Sequence, residues 1–485
     1  MTHSFDSVLP ALLGIVETEA SSASIERCCL IRDVRGRLRL VLKPADGAIV
    51  DPEQLGRDLG TELGAWFAGP VLSTASGPAE QMRLAKNLMQ KATPWPSHWP
   101  TEGQTPTGAR PIESTRWCAI QRSLSKESWL TTEPASPPWP LVERAPAIVA
   151  FSSFKGGVGR STALAVVAWQ LARDGKKVVC IDLDLEAPGL GALFAVKSEG
   201  GVLDFLLTTL ATEKAPHEDP ALGVTVRGAS LLVVPAGSVG LGYVEKLARL
   251  DFLSHGSGAG TPPSPVECAL RALLILVRSR HEPDFILLDC RAGVSDIGGL
   301  TMNDLPHVDV LVGRSGAQWD AGLELSLQVL AARRQAPDRR MVVVQNFAPL
   351  PLSSEESRGI QKRHRHAVYE MFGRWFWAGE TSDEGVTTEG GGPADVATPS
   401  ETDGSGEKKV PPGPDDPDEE DTISAHFPTV LGRYDELASA ETIFDVSEAV
   451  LANDAYTNLR SRIEAVAAPE PPESANSSTN GASRA

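Results

Sequence analysis

The architecture of this protein is indicated most clearly by the glycine-rich stretch Phe154-Lys155-Gly156-Gly157-Val158-Gly159-Arg160-Ser161-Thr162. An apolar β-type run, residues 147–152, precedes it, and a helical pattern, residues 161–173, follows it. Glycines allow the backbone to curl so that successive N–H groups point into one concavity, and the following helix directs the positive end of its dipole to the same place. The stretch is therefore predicted to be a phosphate-binding loop (P-loop).

Two side chains of the loop carry specific expectations. Ser161 stands where a P-loop places a hydroxyl on Mg²⁺, and Arg160 stands where such loops usually have a phosphate-contacting lysine. Arginine keeps the positive charge but presents a planar guanidinium, so the contacts to the phosphates must differ. Nucleotide binding is therefore predicted, whereas hydrolysis is left open. The predicted nucleotide-binding residues of the loop are Gly156, Gly157, Val158, Gly159, Arg160, Ser161 and Thr162.

Aspartates follow two further apolar runs of the chain. Asp182 and Asp184 come at the end of the run 177–181, and Asp289 follows the run 285–288. Any one of them, taken alone, is better explained by a solvated strand end or a helix cap. Together with a P-loop, two aspartate-tipped strands are the parts of a magnesium–nucleotide site.

The Lys-Gly-Gly opening, the Asp-x-Asp strand and the Asp-x-x-x-Gly strand resemble the deviant-Walker ATPases of the ParA/MinD class, over roughly residues 147–350 and 422–468. The arginine of the loop and the run Asp-Leu-Glu-Ala-Pro-Gly at 184–189 resemble a bacterial subgroup of these proteins. The resemblance implies ATP and Mg²⁺ as cofactors and a homodimer in the ATP state.

The resemblance also implies roles for single residues. Lys155 is expected to reach the phosphates of a partner copy, and Asp184, with Asp182 behind it, is expected to position the attacking water. These three are the predicted catalytic residues. Ser161 and Asp289 are the predicted metal-side residues.

Two further positions complete the predicted nucleotide site. Gly293 is expected to sense the γ-phosphate through its N–H, and Asn346, at the end of an apolar strand, is expected to help read the adenine, although an asparagine there is as readily a turn former. Arg160 and Arg291, which replaces a common proline, depart from the family pattern and put the hydrolysis rate in doubt.

The chain has 485 residues, too many for one core, and 41% of them are apolar, which supports real cores. The predicted organisation is an N-terminal α+β accessory domain (1–145), an ATPase core (146–350), a helical insertion (351–379), a disordered acidic linker (380–421), the C-terminal part of the core (422–468) and a disordered tail (469–485). The linker has 14 acidic residues and two lysines, leaving only −6 of the net charge of −18 for the rest.

The ATPase core shows strand runs that alternate with helical periods, such as 266–280 and 320–334. This alternation predicts an α/β fold with a mainly parallel sheet, helices on both faces and a ligand beyond the carboxyl ends of the strands. The predicted strands lie near Ile148, Val178, Leu231, Ile286, Val310, Val343 and Ile423.

The accessory domain contains many tryptophans and prolines between residues 95 and 139. These tryptophans form either a recognition surface or, as we favour, a loop-rich core. The insertion has a basic helical stretch, 355–377, for which contact with DNA is an alternative that we do not favour over a solvated face. Its histidines lack a carboxylate or thiol in register, so no metal site is predicted there.

No apolar run approaches the roughly 20 residues that span a bilayer, and the first residues do not resemble a secretory signal. A final helix, 446–466, has one apolar face and few basic residues, which favours docking over membrane attachment. Six cysteines without metal-type spacing are expected to be reduced thiols of a cytoplasmic protein.

The sequence leaves several functions to compare. We favour a magnesium-dependent, nucleotide-driven dimerisation switch with slow ATP hydrolysis that regulates an unidentified protein partner. The main alternative is a nucleotide-binding sensor or scaffold that does not hydrolyse. A bacterial tyrosine kinase shares the loop architecture, but the chain has four tyrosines and no tyrosine-rich tail. Electron transfer of the nitrogenase-iron-protein kind is excluded because no cysteine pair is placed to bridge a cluster.

Overall fold

The chain forms two compact units, one from residues 1–134 and 251–265 and the other from residues 135–250 and 266–485. The structure is a computed structural model. It describes residues 3–19, 24–33, 35–96, 99, 116–121, 126–130, 134, 136–198, 200–253, 263–333, 340–377, 401–402, 408–409 and 427–469.

The first unit is built on a five-stranded sheet with the strand order β3-β2-β1-β5-β4. Strands β1 and β2 are antiparallel, whereas β1 and β5 are parallel. Its elements are α1 (Phe5–Glu19), β1 (Ile25–Arg32), β2 (Leu38–Pro44), α2 (Pro52–Leu63), β3 (Leu72–Ser73), α3 (Ala79–Lys91), β4 (Thr93–Pro94), β5 (Trp117–Gln121) and α4 (Glu127–Leu130).

Side chains of β1 alternate between two cores, as expected for a strand covered on both faces. Cys28 and Leu30 pack with α1 and α2, whereas Cys29 packs on the opposite face, where α3 lies. Trp99 and Trp117 are buried in the first of these cores. The packing of the described tryptophans supports the loop-rich core rather than a recognition surface.

The second unit contains an eight-stranded sheet with the order β15-β12-β11-β6-β10-β7-β9-β8. Its elements are β6 (Ala147–Ser152), α5 (Arg160–Arg173), β7 (Val178–Leu183), α6 (Leu190–Leu193), α7 (Val202–Thr212), β8 (Leu222–Val226), β9 (Ala229–Val234), α8 (Leu241–Leu253), α9 (Pro265–His281), β10 (Phe285–Cys290), α10 (Asp296–Asn303), β11 (Val308–Gly313), α11 (Ala317–Arg333), β12 (Met341–Ala348), α12 (Glu355–Phe372), β13 (Glu401–Thr402), β14 (Lys408–Lys409), β15 (Thr429–Gly432), α13 (Asp435–Ser439), α14 (Glu448–Leu451) and α15 (Asp454–Val466).

All neighbours in the eight-stranded sheet are parallel except β8 and β9. Along β6, Val149 and Phe151 pack into the core that contains α5 and α15, and Ile148 and Ala150 pack into the core that contains α7 and α9. The predicted mainly parallel sheet with helices on both faces is confirmed. Strand β6, which leads into the P-loop, lies in the middle of the sheet between β11 and β10.

Two details of the second unit differ from the expectation. The antiparallel strand β8 was missed because its exposed and half-buried residues make it look like a loop. The strand predicted near Ile423 falls in residues 421–426, which lie outside the described part, and the last described strand of the sheet is Thr429–Gly432. The expected final helix is broken, because Asn453 accepts a hydrogen bond from Ala455 N and so caps a separate helix, α15.

The predicted insertion contains α12, which is followed by one π-helical turn, Gly373–Trp377. Of the predicted linker 380–421, the structure describes only the two-residue strands β13 and β14, which pair antiparallel. The rest of that linker and the predicted tail beyond residue 469 lie outside the described residues. Among the helices that are described, none is long and apolar enough to cross a membrane.

Candidate functional site

The P-loop connects the end of β6 to the start of α5. Gly157 and Gly159 have φ angles of 72° and 77°, in the left-handed region that favours glycine. Gly156 and Gly157 are exposed, and no atom lies within 4 Å of the place where a Cβ would stand on either residue. The N-cap residue of α5 is Gly159, which has no side chain to cap the helix, and the first turn contains the half-buried Ser161 and Thr162. The loop is therefore an open cradle of backbone N–H groups that an anion can enter.

Arg160 is the first residue of α5, and its guanidinium contacts two carboxylates. Its Nε donates to Asp289 Oδ1 at 2.6 Å, and its Nη2 donates to Asp184 Oδ2 at 2.8 Å. Burial alone lowers the pKa of Arg160, but the charges of Asp289 and Asp184 outweigh it and raise that pKa above its ordinary value. The sequence had suggested a phosphate contact for Arg160, and the pairing with both carboxylates was not expected.

Asp182, Asp184 and Asp289 lie together because β7 and β10 are neighbours in the sheet. Asp289 stands directly opposite Asp182 in the parallel register of these two strands. The aspartates that the sequence placed on separate strands, more than 100 residues apart, therefore meet at one edge of the sheet. This is also the edge from which the P-loop leaves β6.

Asp289 is fully buried, and its Oδ2 atom has no hydrogen bond of normal geometry among the described residues. Burial raises the pKa of Asp289, while the charge of Arg160 and the nearby Ser161 hydroxyl act to lower it. A buried carboxylate oxygen with no hydrogen bond of normal geometry, beside a hydroxyl and an anion cradle, is a donor set that suits Mg²⁺. The residues predicted for the metal side therefore fit that ion.

The carboxylate of Asp182 forms hydrogen bonds with the loop that follows β7. Its carboxylate accepts hydrogen bonds from three backbone N–H groups, those of Asp184 at 3.2 Å, Gly189 at 3.1 Å and Leu190 at 3.0 Å. Burial and the charge of Asp289 raise the pKa of Asp182 to about 7, against the effect of these hydrogen bonds. Asp182 thus holds residues 184–190 in place, and Asp184 is the carboxylate closer to solvent.

Two contacts that the sequence did not reveal hold the segment between Asp184 and Glu186. Tyr243 of α8 donates from its hydroxyl to the carbonyl oxygen of Leu185 at 2.6 Å. Arg291, in the loop after β10, forms an ion pair with Glu186. No sequence motif predicts the contact made by Tyr243, because this residue lies on a helix about 60 residues further along the chain.

Lys155 belongs to the exposed part of the P-loop. It is exposed, and its Nζ donates to Gln318 Oε1 on α11 at 2.9 Å. The side chain is therefore available at the surface of the loop, as a residue that acts on a second copy would have to be.

Asn346 and Gly293 lie against the P-loop strand and loop. Asn346 Nδ2 donates to Val158 O at 2.9 Å, and its Oδ1 accepts from Phe347 N at 2.8 Å. Gly293 has a φ angle of 75°, and its N–H donates to Ser153 O at 3.0 Å. In this structure both predicted ligand-reading groups bind the protein itself, and they fix the position of the loop.

Part of the second unit is similar in sequence to known proteins. Residues 144–225 match the family model described as "ParA: NUBPL iron-transfer P-loop NTPase". An uncharacterized ATP-binding protein of Methanocaldococcus jannaschii is 31% identical over 165 residues, which are 34% of this chain and 50% of that protein. The iron-sulfur cluster carrier protein of Aquifex aeolicus is 39% identical over 120 residues, 24% of this chain and 33% of that protein. The chain thus spans half or less of the length of these curated relatives.

The chain is also similar to solved structures, at low sequence identity. The structure of pNOB8 ParA bound to nonspecific DNA has a TM-score of 0.41 and 15% identity, covering 66% of this chain and 98% of that one. The cell division ATPase MinD of Pyrococcus furiosus has a TM-score of 0.32 and 22% identity, covering 44% of this chain and 78% of that one. The residues that match the family model, 144–225, contain the P-loop and the aspartate-tipped strand β7.

Proposed function

We propose that this protein binds ATP with Mg²⁺ and works as a nucleotide-driven dimerisation switch, with slow hydrolysis, that regulates a protein partner. The observation that carries the proposal is the uncapped N-terminus of α5 behind the open P-loop, beside the buried carboxylate of Asp289. Backbone N–H groups there suit phosphate oxygens, and carboxylate and hydroxyl oxygens suit Mg²⁺. The ATP-binding relative from Methanocaldococcus jannaschii supports ATP as the nucleotide.

Different residues at this site have different roles in the proposed reaction. Ser161 and Asp289 would hold Mg²⁺, which when bound neutralises charge on the phosphates. The N–H groups of the loop and of the first turn of α5 orient the phosphates. Asp184 is the carboxylate that would position the attacking water, because Asp182 is engaged by backbone N–H groups. Positioning and charge neutralisation supply most of the catalysis in this chemistry.

In this proposal, dimerisation depends on the side chain of Lys155. The side chain is exposed and bound to neutral Gln318 rather than to a carboxylate of its own site, so only a modest contact has to break before it reaches another molecule. A lysine that binds the phosphates of a second copy makes association depend on the triphosphate. Release of phosphate would then separate the two copies.

Cluster carrying, as in the iron-sulfur carrier relatives, is not what we propose for this chain. All six cysteines lie within the described residues, and five of them are buried, leaving Cys268 exposed. The chain therefore has no exposed pair of cysteine thiols that could bind an iron-sulfur cluster. The buried thiols instead support the expectation of a reducing compartment such as the cytoplasm.

Calorimetric titration of the full chain with ATP, GTP and CTP, with and without Mg²⁺, tests the binding step. We expect magnesium-dependent binding of ATP that Ser161→Ala weakens. If well-folded protein takes up none of the three nucleotides in the presence of Mg²⁺, the proposal is wrong.

Phosphate release and light-scattering mass measurements separate the switch from a sensor that does not hydrolyse. We expect slow release in the wild type, none in Asp184→Ala, and neither release nor ATP-dependent association in Lys155→Ala. Lys176→Ala is the matched control, because Lys176 is an exposed lysine just before β7, at the opposite edge of the sheet from the P-loop. ATP binding without phosphate release would favour the sensor.

A further inference from the structure

We propose that Arg160 is the resident cation of the nucleotide-free site, and that it keeps divalent metal ions out of the free protein until a triphosphate arrives. This inference deepens the proposed function and rests on it for the role of the triphosphate. Arg160 stands at a P-loop position, yet its guanidinium is paired with Asp184 and Asp289. These are the two carboxylates that the proposed chemistry needs.

The burial of all three groups makes this pairing strong. The side chains of Arg160 and Asp184 are 8% and 12% exposed, and that of Asp289 is 1% exposed. A buried carboxylate without a counter-charge is costly, and two adjacent carboxylates are costlier still. A cation between Asp184 and Asp289 offsets this cost. In the described structure the guanidinium is that cation.

A free divalent ion competes with the guanidinium for the same oxygens. Asp289 Oδ1 and Asp184 Oδ2 are occupied by N–H donors, and the buried Asp289 Oδ2 has no hydrogen bond of normal geometry among the described residues. A carboxylate oxygen next to a fixed positive charge is a poor site for a second cation, because the two cations repel each other in a buried environment. The free protein should therefore bind Mg²⁺ or Mn²⁺ weakly.

A bound triphosphate changes this balance. Its phosphates bring several negative charges to the cradle directly in front of α5, the helix on which Arg160 is the first residue. The guanidinium then has an alternative anion within its reach, and the carboxylates become available to the metal and to water. Metal and nucleotide would consequently enter together, and Asp184 would stay masked in the absence of nucleotide.

Titration of the full chain with Mn²⁺ alone, followed by electron paramagnetic resonance, tests the inference without nucleotide or turnover. We expect weak binding by the wild type and binding about tenfold tighter or more by Arg160→Ala, since one buried positive charge is removed. Arg291→Ala is the control, because Arg291 is a nearby arginine that pairs with Glu186 instead. It should bind Mn²⁺ as weakly as the wild type.

Arg160→Ala leaves two buried carboxylates without a partner, so its folding is checked by thermal melting. If it does not fold, the double variant Arg160→Met with Asp184→Asn removes one charge of each sign and leaves Asp289 free of the guanidinium. It should also bind Mn²⁺ more tightly than the wild type.

Wild-type binding of Mn²⁺ alone that equals the binding by the folded Arg160 variant would overturn the inference. A parallel titration with Mg²⁺ and ATP distinguishes the two proposals. Failure of the wild type to bind ATP, with the contrast in Mn²⁺ binding intact, would refute the proposed function and leave the exclusion of free metal by Arg160 standing.

Discussion

Asn346 ties the end of β12 to the P-loop, because its Nδ2 donates to the carbonyl oxygen of Val158 at 2.9 Å. The contact leaves no space for a side chain on the neighbouring Gly159. A Cβ placed on Gly159 would stand 2.4 Å from the same Nδ2 atom. The shape of the anion cradle thus depends on a side chain that follows it by almost 190 residues.

A double-mutant cycle tests this dependence. Gly159→Ala should weaken ATP binding because the new methyl group meets Asn346 and because the φ angle of 77° strains any residue but glycine. In an Asn346→Ala background the collision is absent, so the loss caused by Gly159→Ala should be smaller by about fivefold, or roughly 1 kcal/mol. Calorimetric dissociation constants of the four proteins measure the coupling. Additive losses would show that the two residues act independently.

Tyr243→Phe removes the hydroxyl that binds Leu185 O next to Asp184. We expect a stability loss of about 1 kcal/mol and slower phosphate release, because Asp184 is held less firmly. Tyr434→Phe is the matched control, since the Tyr434 hydroxyl donates to Asn453 Oδ1 at 2.7 Å, between β15 and α15. It should lower stability similarly and leave phosphate release unchanged. Equal rates in the two variants would contradict a positioning role for Tyr243.

Gly322→Ala should impair ATP binding through Phe154. Gly322 lies within α11, and a Cβ there would stand 2.1 Å from Phe154 Cγ, so the residue that opens the P-loop would have to move. Gly359→Ala within α12 is the control, because its nearest neighbour is the flexible end of Arg363 at 3.6 Å. That variant should be neutral or stabilising by up to about 1 kcal/mol. Titration and thermal melting of both variants provide the comparison.

The stability of the second unit should fall in mild acid because of His364. This side chain is 4% exposed, and burial lowers its pKa to about 4. In the unfolded chain His364 binds a proton near pH 6.5, whereas in the folded chain it binds one only near pH 4. The free energy of unfolding is therefore highest above about pH 6.5 and falls by up to about 3 kcal/mol as the pH is lowered to 4. Urea unfolding midpoints across this range measure the loss.

His364→Leu should reduce that dependence on pH, because leucine does not titrate. Val368→Ala, at a fully buried position one turn further along α12, is the control. It should lower stability by about the same amount at every pH and keep the wild-type slope. An unchanged slope in His364→Leu would mean that other groups cause the loss in acid.

Much of the architecture could be predicted because it depends on local patterns. Apolar runs marked β6, β7, β10, β11 and β12, and their alternation with helical periods indicated a parallel sheet. Parallel strands end at one edge, so the meeting of Asp182 with Asp289 followed from the pattern. Strand β8 and the break before α15 were missed because an exposed edge strand and a helix cap give weak local signals.

The roles of individual side chains were less predictable. Arg160, Asn346 and Gly293 were expected to contact a nucleotide, and in the structure each binds another part of the protein. Asp182 was expected to assist catalysis, and it holds the loop after β7. The bonds of Arg160 to Asp289, of Asn346 to Val158 and of Asp182 to Gly189 join residues that are 129, 188 and 7 positions apart in the chain, so no local sequence pattern predicts them.

The amino-acid order by itself determined the P-loop, the strands that flank it and the edge of the sheet where the charged residues gather, because backbone curvature and strand periodicity depend on residues close together in the chain. Only the tertiary structure decided which partner each of those charges takes. The order of the strands brings Arg160 to Asp184 and Asp289, and burial then makes that pairing preferable to leaving any of the three charges alone.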